Sequence, residues 1–276
     1  MIAMNTFKSK VEVTKQTRYI FSILGIWPMM TNNTTIIKKR VSAVMRLVCQ
    51  SLLAFIIIPG LIQFYLLENL EIKLAYVAPF GIVIACAFKF TAIVNRRKEI
   101  KKCVTQIEQD WREISNENEN AVMLDNFKKG ERITTVCASV MYYGGISHQI
   151  MMPFLPGSIA SIFDNTTKRL LVYPTNDMMF NSQITPVYEI LYITHIVIGI
   201  LICTILVGSC HLAILFICHI LGQNQTMILK LANLTDEQVD DERKVNQRFT
   251  EIIHLHHKIL EYVVDWFAIY KYIKYF

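Results

Sequence analysis

ILYITHIVIGILICTILVGSCHLAILFICHIL occupies residues 190–221, and the uncharged stretch it opens runs on to residue 229, forty residues without Lys, Arg, Asp or Glu. At about 1.5 Å rise per residue the quoted part makes a helix of roughly 48 Å, against a bilayer core of about 30 Å. A core helix of a soluble domain normally keeps one face toward water. The stretch therefore predicts one long spanning helix, tilted and extending beyond the lipid.

The composition agrees. Of 276 residues, 53% are hydrophobic and 18% charged, below the roughly 25% charge of soluble domains, and the mean hydropathy is positive. Residues 1–18 are polar and basic, and the apolar run at 19–30 is too short for a span. Insertion is expected to use the first true span, with no signal peptide. Six of the seven cysteines lie in apolar runs and Cys103 in a basic stretch. They are expected to pack as small hydrophobes rather than form disulfides.

Residues 1–43 form a basic segment with a short interfacial helix, Trp27 near headgroup depth and Pro28 ending it. Residues 44–94 hold two spans, 47–67 and 74–94. Pro59-Gly60 is expected to kink the first, and Lys89 to snorkel from the end of the second. Residues 95–132 are a basic loop containing a polar helix, with Cys103, Val104, Ile107, Trp111 and Ile114 at helical spacing and a break at 115–120. Beside two spans, this patch reads as an anchor on membrane lipid, not as a nucleic-acid surface. A third span covers 133–155, a loop 156–189, the long fourth helix 190–229, and a tail 230–276. In the tail, Thr235-Asp236-Glu237-Gln238 resembles a capping box that would start a helix. The expected fold is an all-α membrane protein with four transmembrane helices plus amphipathic cytoplasmic helices.

Orientation follows from charge. The amino-terminal segment, the second loop and the tail carry 23 Lys and Arg; the other side carries only Lys73, Lys168 and Arg169. The positive-inside rule then places both termini in the cytoplasm. Asn165, in an Asn-Thr-Thr sequon, lies outside, where glycosylation is expected. An amino terminus inside argues against a G-protein-coupled receptor.

No phosphate-binding loop, metalloprotease helix or nucleophile elbow is present, so neither an enzyme nor a cofactor is expected. His254 and His257 share a helix face but lack carboxylate or thiolate partners for a metal. The intramembrane polar residues say more. Tyr188, Tyr192, His195 and Gly199 recur at steps of four, three and four, on one face of the fourth helix. His148 and Met152 share a face at the outer end of the third, and Tyr76 and Phe80 on the second. Interhelical hydrogen bonding would account for any one of them as well as a site would. Together they could line an outward cavity suited to a small, volatile or oily ligand.

Four local patterns resemble one family, the insect odorant receptors, in a divergent form like those of ants and bees. They are Leu24-Gly25-Ile26-Trp27-Pro28; Asp110-Trp111 in the second loop, with Arg132 before the third span; Leu171-Val172-Tyr173-Pro174 and Thr185-Pro186-Val187-Tyr188 leading into the fourth helix; and His219-Ile220-Leu221-Gly222-Gln223 with Leu229 and Leu231 at its end. The resemblance implies seven helices with the amino terminus inside and an odorant-gated cation channel formed with a co-receptor subunit. It also implies an odorant pocket from the outer parts of the second, third, fourth and sixth helices and a pore from the seventh. His195 stands where such receptors often have Gln. The chain stops where a fifth helix would begin, so it reads as a truncated form holding the first four helices. A full-length form is expected at the plasma membrane, this one in the endoplasmic reticulum. The competing reading is a four-span scaffold or transporter fragment without channel activity. A transporter would show an internal repeat, and the two helix pairs show none.

Overall fold

A computed structural model describes residues 15–27, 35–114, 116–151, 171–173, 184–236 and 242–274. Among them the ordered elements are α-helices: α1 Lys15–Ile23, α2 Ile36–Leu66, α3 Leu70–Asn95, α4 Arg97–Glu113, α5 Glu117–Met151, α6 Val187–Asp236 and α7 Glu242–Lys274. Three helices among the described residues are long and apolar enough to cross a membrane, within Ile36–Leu66, Tyr76–Asn95 and Val187–Leu234. The expected span at 133–155 is not one of the three. Its described part lies at the end of α5, where Thr134, Thr135, Gly144, Gly145, Ser147, His148 and Gln149 dilute the apolar residues. Only 22% of the most apolar window of α2 is buried, and Leu47, Leu61 and Tyr65 stand open on it. Such a surface is stable only against lipid or another protein.

Helix boundaries differ from expectation for local reasons. The expected connection at 68–73 shrinks to residues 67–69, because Asn69 Oδ1 accepts the Glu71 N–H (2.9 Å) and starts α3 early. Asn116 caps α5 in the same way through the Asn118 N–H (2.9 Å). The basic cluster 128–132 and residues 133–151 thus share one helix. Pro59 lies inside α2 and Pro79 inside α3. α6 is 50 residues long. The capping-box reading is corrected by it: Thr235 and Asp236 close α6, and the next helix starts at Glu242. The helix that the apolar run opens continues through Thr235 and Asp236, and Glu237 and Gln238 lie outside the described residues.

The chain divides into two compact units. The first takes its described residues from α1 up to Phe21, from 93–136, and from 208 to the end of α7. In it α4 turns Ile100, Cys103, Val104, Ile107 and Trp111 inward, a stripe at steps of three, one, three and four. Leu212, Leu215 and Phe216 of α6 and Ile259, Tyr262 and Trp266 of α7 are also buried. Phe216 packs on Trp266 with centroids 4.4 Å apart.

The second unit comprises the described parts of 22–92 and 137–207. Here α2 and α3 meet at Gly60, where a side chain would overlap the Phe80 ring. α5 and α6 meet through Tyr142 Oη and Thr204 Oγ1 (2.8 Å), Gly145 against Cys203, and Gln149 against Gly199.

Candidate functional site

The face at Tyr188, Tyr192, His195 and Gly199 belongs to the second unit. Tyr188 and Tyr192 stack with centroids 6.2 Å apart and planes within 3°. One turn on, His195 is 1% exposed. Its Nδ1 accepts a long hydrogen bond (3.4 Å) from the Tyr173 backbone N–H, which fixes the ring proton on Nε2. The Tyr173 ring stands edge-on to the imidazole at 5.3 Å, and its hydroxyl accepts from Gln149 Nε2 at 3.0 Å. Gln149 is 6% exposed and lies flat against Gly199, where a methyl group would overlap its amide. Three parts of the sequence thus converge: α5, residues 171–173 and α6.

The other expected site residues fall as follows. His148 is exposed, and the adjacent Gln149 takes the inward position. One residue turns a helix by about 100°, and the inward line on α5 is 142, 145 and 149, the residues that meet α6. The small residues Gly145 and Gly199 were the available signal for that line. Tyr76 and Phe80 lie 5.5 Å apart. Their described contacts run to α2: Tyr76 Oη donates to the Gly60 carbonyl at 3.5 Å, and the Tyr76 ring stacks on Phe64 at 6.2 Å. Met152 and Asn165 lie outside the described residues.

Sequence reasoning missed a second cluster, in the first unit. Asp110, 6% exposed, receives His219 Nε2 at 2.9 Å and Gln223 Nε2 at 3.4 Å on one oxygen. Lys258 Nζ at 2.7 Å and Gln106 Nε2 at 3.0 Å reach the other. Lys258 also bridges to Glu113 Oε2 at 3.0 Å, and the Tyr262 ring stands edge-on to His219 at 5.3 Å. Burial pushes the Asp110 carboxyl up, but hydrogen bonds and charge from His219 and Lys258 outweigh it and hold the group below its ordinary value. Burial likewise opposes the Lys258 cation, and its two carboxylate partners win, raising it. An ionised carboxylate only accepts, so His219 Nε2 carries the proton facing it. The arrangement joins α4, α6 and α7 by charge. His219 and Gln223, one turn apart, were legible as a pair; their partner, more than a hundred residues upstream, was not. His254 and His257 are exposed, and no group of three or more His, Cys, Asp or Glu among the described residues could hold a metal ion.

The fold matches the insect olfactory receptor OR5 from Machilis hrabei in complex with eugenol, with a TM-score of 0.68 at 14% identity, over 95% of this chain and 66% of that one. The structure of the same receptor described without eugenol gives 0.67 at the same identity and coverage. The chain thus spans just under two thirds of that receptor's length. No curated protein matches. The 7tm odorant receptor family model matches residues 69–274, which include α4, α6, α7 and both clusters. The chain is a membrane protein of the insect odorant receptor family.

Proposed function

We propose that the chain forms the ligand-binding portion of an odorant receptor subunit, with small volatile or apolar odorants held against the amino-terminal half of α6. The observation that carries this reading is the Gln149–Tyr173–His195 cluster, with Gln149 and His195 buried and Tyr173 half-buried, beside the stacked Tyr188 and Tyr192. Leu191, Ile198 and Ile202 of the same helix are buried as well, and a few fixed polar groups combined with apolar side chains suit a small, mostly apolar ligand. Tyr76, Phe80, His148 and Met152 belong to the same proposal as further contacts. The OR5 of Machilis hrabei is solved with eugenol, a volatile phenol, which makes eugenol the first probe.

In this reading α2, α3, the end of α5 and α6 are four spans, and the charge count of 23 against 3 places the amino terminus in the cytoplasm. The receptor acts at the plasma membrane with a co-receptor subunit as an odorant-gated cation channel. Asn165 is glycosylated on the outer side. The test is saturable binding of tritiated eugenol and a panel of volatile competitors to the chain in lipid nanodiscs. His195→Gln is expected to change the rank order of competitors while leaving the yield of folded protein intact. An unchanged order would remove His195 from the site, and no saturable binding of any volatile would contradict the reading.

A further inference from the structure

The single amide of Gln149 has its nitrogen in use and its oxygen left over. Its Nε2 donates to Tyr173 Oη at 3.0 Å. Its Oε1 is buried and, among the described residues, has no hydrogen-bond partner. The residue is 6% exposed, so bulk water does not supply a donor. Gly199 beneath it offers no side chain. The His195 Nδ1 is already an acceptor for the Tyr173 N–H, so it has no proton to give. A carbonyl oxygen buried without a donor is costly in an apolar surround, and the cost disappears when a hydroxyl arrives.

We infer that Gln149 Oε1 accepts a hydrogen bond from the ligand, so that the site selects small alcohols and phenols over the matching ethers and hydrocarbons. The inference rests on the odorant-site reading and adds the ligand's chemical class and the residue that reads it. Gly199 is the positioning residue: only a position without a side chain lets the amide lie where it does. Discrimination comes from the orphaned acceptor, because a ligand lacking the hydroxyl leaves it unpaired.

The experiment measures binding of 2-phenylethanol and of its methyl ether to the chain in nanodiscs, by competition against tritiated eugenol. The unaltered chain is expected to prefer the alcohol by about tenfold, the worth of one neutral hydrogen bond. Gln149→Met keeps the length and removes the acceptor, and should bring the two ligands within about twofold. Gly199→Ala should do the same by displacing the amide, and it leaves Gln149 itself in place. Equal affinities in the unaltered chain, a preference for the ether, or a tenfold preference surviving in both variants overturns the inference while leaving the odorant site standing. Eugenol bound saturably with neither ligand competing overturns the inference alone, and absence of saturable binding by eugenol and by both ligands overturns the odorant-site reading and this inference with it.

Discussion

The Lys258 ammonium lies 2.7 Å from Asp110 Oδ1, and the same group reaches Glu113 Oε2 at 3.0 Å. One cation on α7 thereby ties two carboxylates three residues apart, on one face of α4. Asp110→Asn keeps the shape and removes the charge. It leaves Lys258 with the exposed Glu113 alone and weakens the His219 contact. A loss of roughly 2–3 kcal/mol is expected, the worth of hydrogen bonds to a buried charge. Amide hydrogen exchange should speed up across 97–113 and 242–274 and stay nearly unchanged across 187–207. Uniform acceleration would mean that the cluster does not act within the first unit.

The same cluster sets a pH window. Asp110 is held below its ordinary 3.8, so its contribution is present above that value and is lost as pH falls through the lower folded value. Lys258 is held above its ordinary 10.5, so its contribution is present below that value and is lost as pH rises through the higher folded one. Between these limits both groups are charged and the clamp is closed. Thermal melts from neutral to acid pH should show a drop beginning near 4, and Asp110→Asn should flatten that drop. An acid limb of equal depth in the variant would assign it elsewhere.

Cys103 faces inward on α4 at 2% exposure, and burial pushes its thiol up to about 12. The thiolate is the reactive form. Iodoacetamide at neutral pH should therefore leave Cys103 unlabelled in the folded protein and modify it after denaturation. Rapid labelling of the native protein would show that the α4 stripe is not packed.

Gly60 and Gly81 make a matched pair. A side chain at Gly60 overlaps the Phe80 ring, whereas nothing lies within 4 Å of one at Gly81. Gly60→Val is expected to destabilise the second unit by about 1–3 kcal/mol through overpacking. Gly81→Ala should be neutral or stabilising by up to about 1 kcal/mol, since Ala is the better helix former. The check is the melting temperature of each variant in detergent. Equal effects would contradict the α2–α3 contact.

Hydropathy and spacing carried much of the architecture. The uncharged run at 190–229 gave α6 its core, and Cys103, Val104, Ile107 and Trp111 gave the buried face of α4, because both are local and periodic. Helix ends were less legible. Asn69 and Asn116 act as caps through a single backbone contact, whereas Thr235, which looks like a cap, lies inside the last turn of α6. The site divided in the same way. His195 and its stacked tyrosines lie on one helix and share a spacing. Gln149 could be told from His148 only by knowing which side of α5 meets Gly199. The partners of Asp110 stand 109 and 148 positions away in sequence, at His219 and Lys258, and no local pattern encodes such a meeting.

In the proposed function, small odorants bind at the amino-terminal half of α6 in the second unit. Photolabelling with a diazirine analogue of eugenol, in nanodiscs and with excess eugenol as competitor, locates that binding on the chain. Competable adducts are expected on peptides covering 141–151 and 188–199, lost together when excess eugenol is present. Competable adducts confined to 97–113 or 242–274, or adducts that excess eugenol leaves untouched, would contradict it.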